Sequence, residues 1–312
     1  MQSTTVRSKE SVRRSRLRQL QGACFALPAV IGLLWFTAYP VLASLYYSFC
    51  NYAVLKPPKW IGGANYAHLL EDPLFFTALW NTVFYAVFAV PLGICMALSL
   101  ALLLNTKVRG LAFYRTCFYV PSVVPIVASA MLWIWLLNPD SGAINDLLRL
   151  VGVPSKYLPG WLQSPEWSKP AFILWSTWNV GGAMVIFLAA LQDVPKELHE
   201  AAGLDGARKW DVFRHVTVPF ISPQVLFTVV MGLIGAFQFF TPVYVMTNGE
   251  GGPVDSTTLY SLYMFNVAFS DFKMGYACAM AWVLLLIVLA ATLFVMKSSA
   301  RHIHYQGGEP NA

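Results

Sequence analysis

Apolar residues along this 312-residue chain come in long unbroken runs rather than in alternation. Six windows, 19–55, 73–106, 116–139, 170–192, 215–249 and 274–296, contain no Asp, Glu, Lys or Arg over at least 23 residues. The next longest gap, 256–270, has 15. A helix rises ~1.5 Å per residue, so ~20 apolar residues cross ~30 Å of hydrocarbon. Backbone groups find no partners in lipid, which leaves helices or a closed barrel as spanning structures. Barrel strands alternate over ~10 residues, and a run such as Ala97 to Leu104 does not. The pattern predicts an all-α integral membrane protein with six transmembrane helices near 22–48, 78–104, 114–137, 170–192, 220–246 and 275–297. Segment 256–270 is too short to cross. Its Leu259, Leu262, Tyr263 and Phe265 predict a short helix at the interface or packed on the bundle.

Composition agrees and excludes the main alternatives. Charged residues are 12% of the chain and hydrophobic residues 57%, with a mean hydropathy of +0.57. Soluble domains carry ~25% charge, so a soluble, disordered or nucleic-acid-binding chain is ruled out. The net charge of +6 is segregated by side. Fifteen Lys and Arg fall in the N-terminal tail, loops 2–3 and 4–5 and the C-terminal tail. Six (Lys56, Lys59, Arg149, Lys156, Lys169, Lys273) fall in the opposite loops. Positive residues are retained inside, so both termini are expected in the cytoplasm. The basic start and apolar run resemble a signal peptide in outline, but the run exceeds the ~7–15 residues of a signal core, so an uncleaved first helix is expected.

The sequence offers little bond chemistry. It has no G-x-x-x-x-G-K-[ST] phosphate loop, no H-E-x-x-H and no G-x-S-x-G. Asp and Glu are absent from all six windows, which argues against a proton- or sodium-driven secondary transporter. The five cysteines are unclustered, and four sit within or at the mouth of a span, where a thiol packs as a small apolar group. His302-x-His304 lacks the further ligands a metal needs.

Loop 4–5 departs from the short polar turns elsewhere. Between Asp193 and Arg214 it holds five acids, four bases and one histidine, yet it keeps helical apolar spacing. Pro195 suits a first helical turn, and Leu198, Ala201, Ala202 and Leu204 share a side. Asp205-Gly206 interrupts, with Asp205 placed to cap a second helix in which Ala207, Trp210, Phe213 and Val216 recur every three residues until Pro219 opens the fifth span. A helix–turn–helix with an apolar and a charged side is predicted; a solvated loop is the plainer alternative.

The run Glu200-Ala201-Ala202, Asp205-Gly206-Ala207, Val216 and Val218-Pro219 resembles the EAA signature of permease subunits in binding-protein-dependent ABC importers. Valines stand where the family has Ile and Leu before the proline. The likeness extends over most of the chain and is closest to the sugar branch, the maltose and glycerol-phosphate type. Asn65-Tyr66, Asp72-Pro73 and Asn81-Thr82 carry it into the second span. Phe113-Tyr114-Arg115-Thr116, Trp133-x-Trp135-Leu136, Phe187-Leu188-Ala189, Phe237-Gln238-x-Phe240, Tyr244-Val245-Met246-Thr247 and Gly275-Tyr276-Ala277 continue it. Thr241 stands where the family often has Asp, which removes any substrate contact that Asp makes.

The resemblance implies a permease domain over 22–297, with a coupling loop at 193–219, between cytoplasmic tails 1–21 and 298–312. It implies that Glu200, Ala201, Ala202, Asp205, Gly206 and Ala207 seat on an ATPase: the alanines allow close approach, Glu200 is an anchor and Gly206 permits a sharp turn. It also implies two ABC ATPase subunits that hold ATP and Mg, with no cofactor in this chain. A second, similar permease, an extracytoplasmic binding protein and a sugar or polyol derivative complete the system in the bacterial inner membrane. A stand-alone secondary transporter or channel, a permease for a non-sugar solute such as glycerol phosphate, and a membrane scaffold are the alternatives.

Polar groups inside the spans are few: Ser122, Ser129, Ser176, Thr177, Asn179, Thr228, Gln238 and Thr241. They serve either as helix–helix glue or as sugar contacts. Sugars need amide hydrogen bonds and aromatic faces, so Trp175, Trp178, Asn179, Phe237, Gln238 and Thr241 form the candidate substrate path. Pro121, Pro125, Pro242 and Gly181-Gly182 are expected to break helices beside it. Tyr46, Tyr47 and Trp133, near span ends, read as interfacial belts.

Overall fold

The computed structural model describes residues 21–22, 24–106 and 108–299. The predicted tails, with His302 and His304, lie almost wholly outside the described residues. In chain order the helices are α1 (Cys24–Ser48), α2 (Ala64–Glu71), α3 (Pro73–Leu104), α4 (Leu111–Val123), α5 (Ile126–Leu136), α6 (Ala143–Leu150) and α7 (Pro165–Trp178). They continue as α8 (Gly181–Gln192), α9 (Lys196–Leu204), α10 (Lys209–Phe237), α11 (Thr241–Met246), α12 (Tyr260–Phe265) and α13 (Met274–Ser299). A short ribbon pairs β1 (Cys50–Asn51) antiparallel with β2 (Lys59–Trp60).

Four of the six predicted spans are unbroken (α1, α3, α10, α13), and two are bent pairs: α4 with α5 at 98° and α7 with α8 at 46°. The sharper bend follows from Pro125. A proline pushes the preceding residue out of the helical region, and Val124 is extended at φ −64°, ψ 132°. Pro121, expected to break its helix as well, stays inside α4. The gentler bend falls at Asn179-Val180, and Gly181 restarts the helix.

The fifth span departs most from expectation. The predicted second helix of the coupling loop is not separate: it runs into the span as one helix, α10, and ends at Phe237 rather than 246. Pro219 therefore lies within this helix. A π turn at Phe213–Thr217 precedes it, with the Val218 N–H reaching back to the Phe213 carbonyl. The one-residue offset accommodates a proline that has no N–H to give.

Helix α3 is the axis of the bundle. Its N-terminal half joins an apolar cluster around Trp175, Phe237, Tyr260 and Met280 through Tyr85 and Ala89. Its C-terminal half joins another around Met184, Phe187 and Ile221 through Ala97 and Ala101. The segment left over from the spans packs on the bundle rather than at the interface: Tyr260 and Leu262 are fully buried. The Asn81-Thr82 pair explains how. Asn81 Nδ2 donates to the Asp255 and Thr258 carbonyls (2.8 and 3.1 Å), and Thr82 Oγ1 accepts the Tyr260 N–H at 2.8 Å.

Asp72 closes the same end. Its carboxylate caps α3 by accepting the Leu74 and Phe75 N–H groups, and its other oxygen accepts the hydroxyls of Tyr263 and Tyr276. Burial pushes this carboxyl up, but the hydrogen bonds from Tyr263, Tyr276, Phe75 and Leu74 outweigh it and hold it below the usual carboxylate range. One residue thus pins α12 and α13 to the start of α3.

Helix α1 lies outside this core and packs on α13, where Trp282 Nε1 donates to Ser44 Oγ at 3.2 Å. Tyr46 is exposed as a belt residue should be. Trp133 is not: it is buried, with its ring 6.1 Å from that of Trp178.

Candidate functional site

Two helix ends meet α3 at mid-bundle. Asn179 terminates α7 and Gln238 terminates α10, each in a non-helical conformation that follows from the breaks above. Small residues make room there. Gly93 of α3 and Gly232 and Gly235 of α10 border a cavity of about 300 Å³ whose polar lining is Tyr85, Ser176, Asn179 and Thr228. The space is tight: a Cβ on Gly232 would lie 3.1 Å from Val90 Cγ1.

Aromatic rings form one wall. Phe239 stacks on Tyr85 with centroids 4.5 Å apart and planes 16° off parallel, and its ring is 5.4 Å from that of Trp175. Trp175 is held by its own indole, which donates to Ser129 Oγ at 3.1 Å. Its single polar group is thereby satisfied across the bend of α4 and α5. The Asn179 side chain, in contrast, makes no hydrogen bond with the described residues. Its amide is exposed and offers two donors and an acceptor.

The predicted path residues are therefore divided. Trp175 and Asn179 line this cavity. Gln238 lines a different one, of about 600 Å³, between the end of α10 and helices α12 and α13; Ser261 is its other polar group, and Phe240, Met264, Phe265 and Phe269 make it largely apolar. Phe237 is buried in the core, and its carbonyl accepts the Ser261 hydroxyl at 2.9 Å. Trp178 packs on Trp133, and Thr241 opens α11 outside both cavities. The reason is angular: Phe237, Gln238 and Phe239 follow one another at a helix end, so successive side chains leave in different directions. Reasoning from polar residues missed Tyr85 and Phe239. A signal was present in α3, where Tyr85, Ala89 and Gly93 recur every four residues and place shrinking side chains under an aromatic ring.

At the other end of the bundle, α9 stands clear of it and none of its residues is buried. Leu204 is 90% exposed, and Glu200, Ala201, Asp205, Gly206 and Ala207 are exposed with it, while Ala202 is half-buried. Pro195 precedes the helix as its N-cap instead of occupying the first turn. Asp205 ends α9 and does not cap the next helix; there Asp211 accepts the Arg208 N–H at 3.3 Å. Gly206 has φ +72°, the Gly206 N–H bonds to the Gly203 carbonyl and the Ala207 N–H to the Ala202 carbonyl. That pair of bonds is a Schellman termination, which needs a left-handed residue. An added Cβ at Gly206 would meet nothing within 4 Å, so the glycine is required by backbone conformation and not by crowding within this chain.

The sequence matches, over residues 89–303, the family described as the binding-protein-dependent transport system inner membrane component. It is 43% identical over 299 residues to a probable ABC transporter permease protein, YesP, of Bacillus subtilis (strain 168), covering 95% of this chain and 96% of that one. It is 36% identical over 289 residues to the lactose transport system permease protein LacF of Rhizobium radiobacter, covering 92% and 96%. The fold is similar to a chain in the crystal structure of a bacterial alginate ABC transporter in complex with an alginate pentasaccharide-bound periplasmic protein. The TM-score is 0.78 at 23% identity, covering 92% of this chain and 96% of that one.

Proposed function

The chain belongs to the family of binding-protein-dependent transport system inner membrane components, and from that premise we propose that it lines part of the path by which an ATP-driven importer carries a carbohydrate. It is a multi-pass protein of the plasma membrane with apolar helices long enough to cross it. The observation that carries the carbohydrate reading is the Asn179 amide, without a hydrogen-bond partner among the described residues, beside the Tyr85–Phe239 stack. Sugars present hydroxyls to amides and C–H faces to rings, and the cavity of about 300 Å³ falls at the small end of ligand sites, which run to ~1,000 Å³. The lactose permease supports a saccharide substrate by relationship. Ser176 and Thr228 add hydroxyl partners.

The exposed α9 is the ATPase seat in this reading. Glu200 and the alanines beside it contact one of two ATPase subunits, which hold ATP and Mg. Because α10 is unbroken from Lys209 to Phe237, displacement of its inner end moves Phe239 and the cavity wall as a lever. A second permease completes the path, and a binding protein delivers sugar from outside. Both termini face the cytoplasm.

The test is saccharide uptake by the reconstituted importer with Asn179→Ala and Gln238→Ala. Loss of an amide contact costs ~1–3 kcal/mol, or roughly ten- to a hundredfold in affinity. Asn179→Ala lowers uptake by that factor at unchanged thermal stability, while Gln238→Ala, in the other cavity, leaves uptake near normal. Intact uptake with a lowered melting temperature in Asn179→Ala assigns the residue to packing and removes this cavity from the path.

A further inference from the structure

We propose that a cavity between α9 and α10 binds a phosphate group. It measures about 340 Å³ and lies where α9, the start of α10 and the end of α3 meet. His199, Lys209 and Thr217 are its polar lining, and Leu102, Val212 and Phe213 supply apolar walls. Thr217 is the buried residue of the lining, at 7% exposure. Elsewhere in the helices, Thr77, Thr82, Thr116, Thr228 and Thr247 turn their hydroxyls back to the carbonyl four residues earlier, at 2.8–3.0 Å. Thr217 does not. The carbonyl four residues before it belongs to Phe213, which takes the Val218 N–H in the π turn. The Thr217 hydroxyl has no hydrogen bond among the described residues. A hydroxyl left unpaired in a buried residue is costly, and π turns recur at functional sites.

The rest of the polar lining is suited to negative charge. Lys209 is the first residue of α10, a helix of 29 residues. The N–H groups of Lys209 and Trp210 have no partner among the described residues, so the positive end of this helix is uncapped there. The two ion pairs among the described residues are elsewhere, which leaves the Lys209 ammonium without a counter-ion. His199 Nδ1 lies 3.4 Å from the Pro195 carbonyl, which can only accept, and His199 Nε2 has no partner. None of the loop's acids (Asp193, Glu197, Glu200, Asp205 and Asp211) lines the cavity, and Asp211 is engaged with the Arg208 N–H. An ammonium, an imidazole, a hydroxyl and a helix N-terminus thus border one space with no carboxylate among them. Donors converging from several directions match the tetrahedral oxygens of a phosphate better than the two coplanar oxygens of a carboxylate.

Two sources offer this chemistry. Leu102 is two residues from the end of α3, so the cavity sits where a span leaves the hydrocarbon, at the depth of anionic lipid headgroups. A soluble phosphate ester is the other source. Either anion would tie α9 to the start of α10 and stiffen the link between ATPase seat and cavity wall; that consequence rests on the importer reading, and the binding does not. The melting temperature of the assembled importer is measured with inorganic phosphate against chloride at matched ionic strength, and in nanodiscs of phosphatidylglycerol against phosphatidylcholine. Phosphate, phosphatidylglycerol or both raise it in the wild type. Lys209→Gln and Thr217→Val each weaken the response by about tenfold or more in apparent affinity, the factor for a hydrogen bond to a charged group. Lys209→Arg retains it. Without either probe, Thr217→Val melts at or above wild type, because it removes a hydroxyl that has no partner.

A response to inorganic phosphate alone identifies a soluble ligand, and one to phosphatidylglycerol alone identifies a lipid headgroup. Four outcomes overturn the proposal. These are no response to either probe, a response that survives either substitution (as phosphate bound at the ATP sites would), a Thr217→Val variant that melts below wild type with its response intact, and a Lys209→Gln variant that sheds the ATPase while its response to both probes is unchanged. The last would show that a carboxylate of the ATPase fills the cavity. None of these measurements uses saccharide uptake, so their failure leaves the carbohydrate reading standing.

Discussion

Gly181 and Gly182 stand side by side at the start of α8, and alanine at the two positions should have opposite effects. At Gly181 an added Cβ would lie 2.7 Å from the Phe118 carbonyl oxygen, 3.0 Å from Tyr119 Cα and 3.1 Å from Ser122 Oγ. Two of these atoms are backbone of α4, so no side-chain rotation relieves the clash. Restoring ordinary contact means moving α8 from α4 by about 0.7 Å, the difference between 3.4 and 2.7 Å. Overpacking of this kind costs ~1–3 kcal/mol. At Gly182 a Cβ meets nothing within 4 Å, and alanine gains ~0.5–1 kcal/mol over glycine inside a helix. The variants should therefore differ by roughly 1.5–4 kcal/mol. The assay is the apparent melting temperature of the purified importer, where ~1 kcal/mol corresponds to roughly 2–4 °C in domains of comparable size. Gly181→Ala should melt several degrees below wild type and Gly182→Ala at or above it. Because the α4–α8 contact sets the bend that places Asn179, Gly181→Ala should also reduce uptake. Equal melting temperatures for the two variants would refute the close approach, and with it the account of why this span is bent.

Three further outcomes are expected. Asp72→Asn should destabilise the protein at neutral pH; since the native carboxyl is held below its ordinary range, the gap from wild type persists above the unfolded pKa of ~3.9 and closes as pH falls through the lower folded value, read by melting at pH 7, 5 and 3. Glu200→Lys should abolish substrate-stimulated ATP hydrolysis in the assembled importer while insertion survives, and Gly206→Asp should do the same with an added cost of ~1 kcal/mol for a left-handed non-glycine residue; normal stimulated hydrolysis in both would mean that α9 is not the ATPase seat. A cysteine placed at Ser155 or Gly252 should react with an impermeant reagent in sealed cells and one at Lys209 should not, and labelling at Lys209 would reverse the orientation.

Much of this protein was legible in one dimension because lipid is an undemanding solvent to read. It forbids charge and unpaired backbone over ~20 residues, so counting charges located the spans, even where one proved to be a bent pair, and only the fifth, placed at 220–246, is shifted along the chain to Lys209–Phe237. The EAA-like run was legible for a related reason: Gly206 is dictated by a local backbone conformation, and local requirements leave local marks. Its neighbours were less so. Pro195 caps α9 from one position before its first turn, and Asp205 ends α9 instead of starting the next helix, whose N-cap is Arg208.

Where two distant segments meet was hidden from the sequence. Asn179 and Gln238 look equivalent in the chain, both amides at mid-span, yet they face separate cavities because each side chain's direction depends on where its helix stops. The stops depend on contacts such as Gly181 against α4. Pro121 and Pro125 are the same residue four positions apart, and one is accommodated while the other turns the chain by 98°. The merger of the second coupling helix with the fifth span depended on a single π turn, a backbone offset that hydropathy does not register. Trp133, read as an interfacial anchor, is buried because a bent span carries its end inward to Trp178. The amino-acid sequence alone determined the solvent, the number of crossings and the family signature, since each is a sum over neighbouring residues. The cavity and its aromatic wall were decided only by tertiary structure, because both are made by side chains from helices that meet at angles no local pattern encodes.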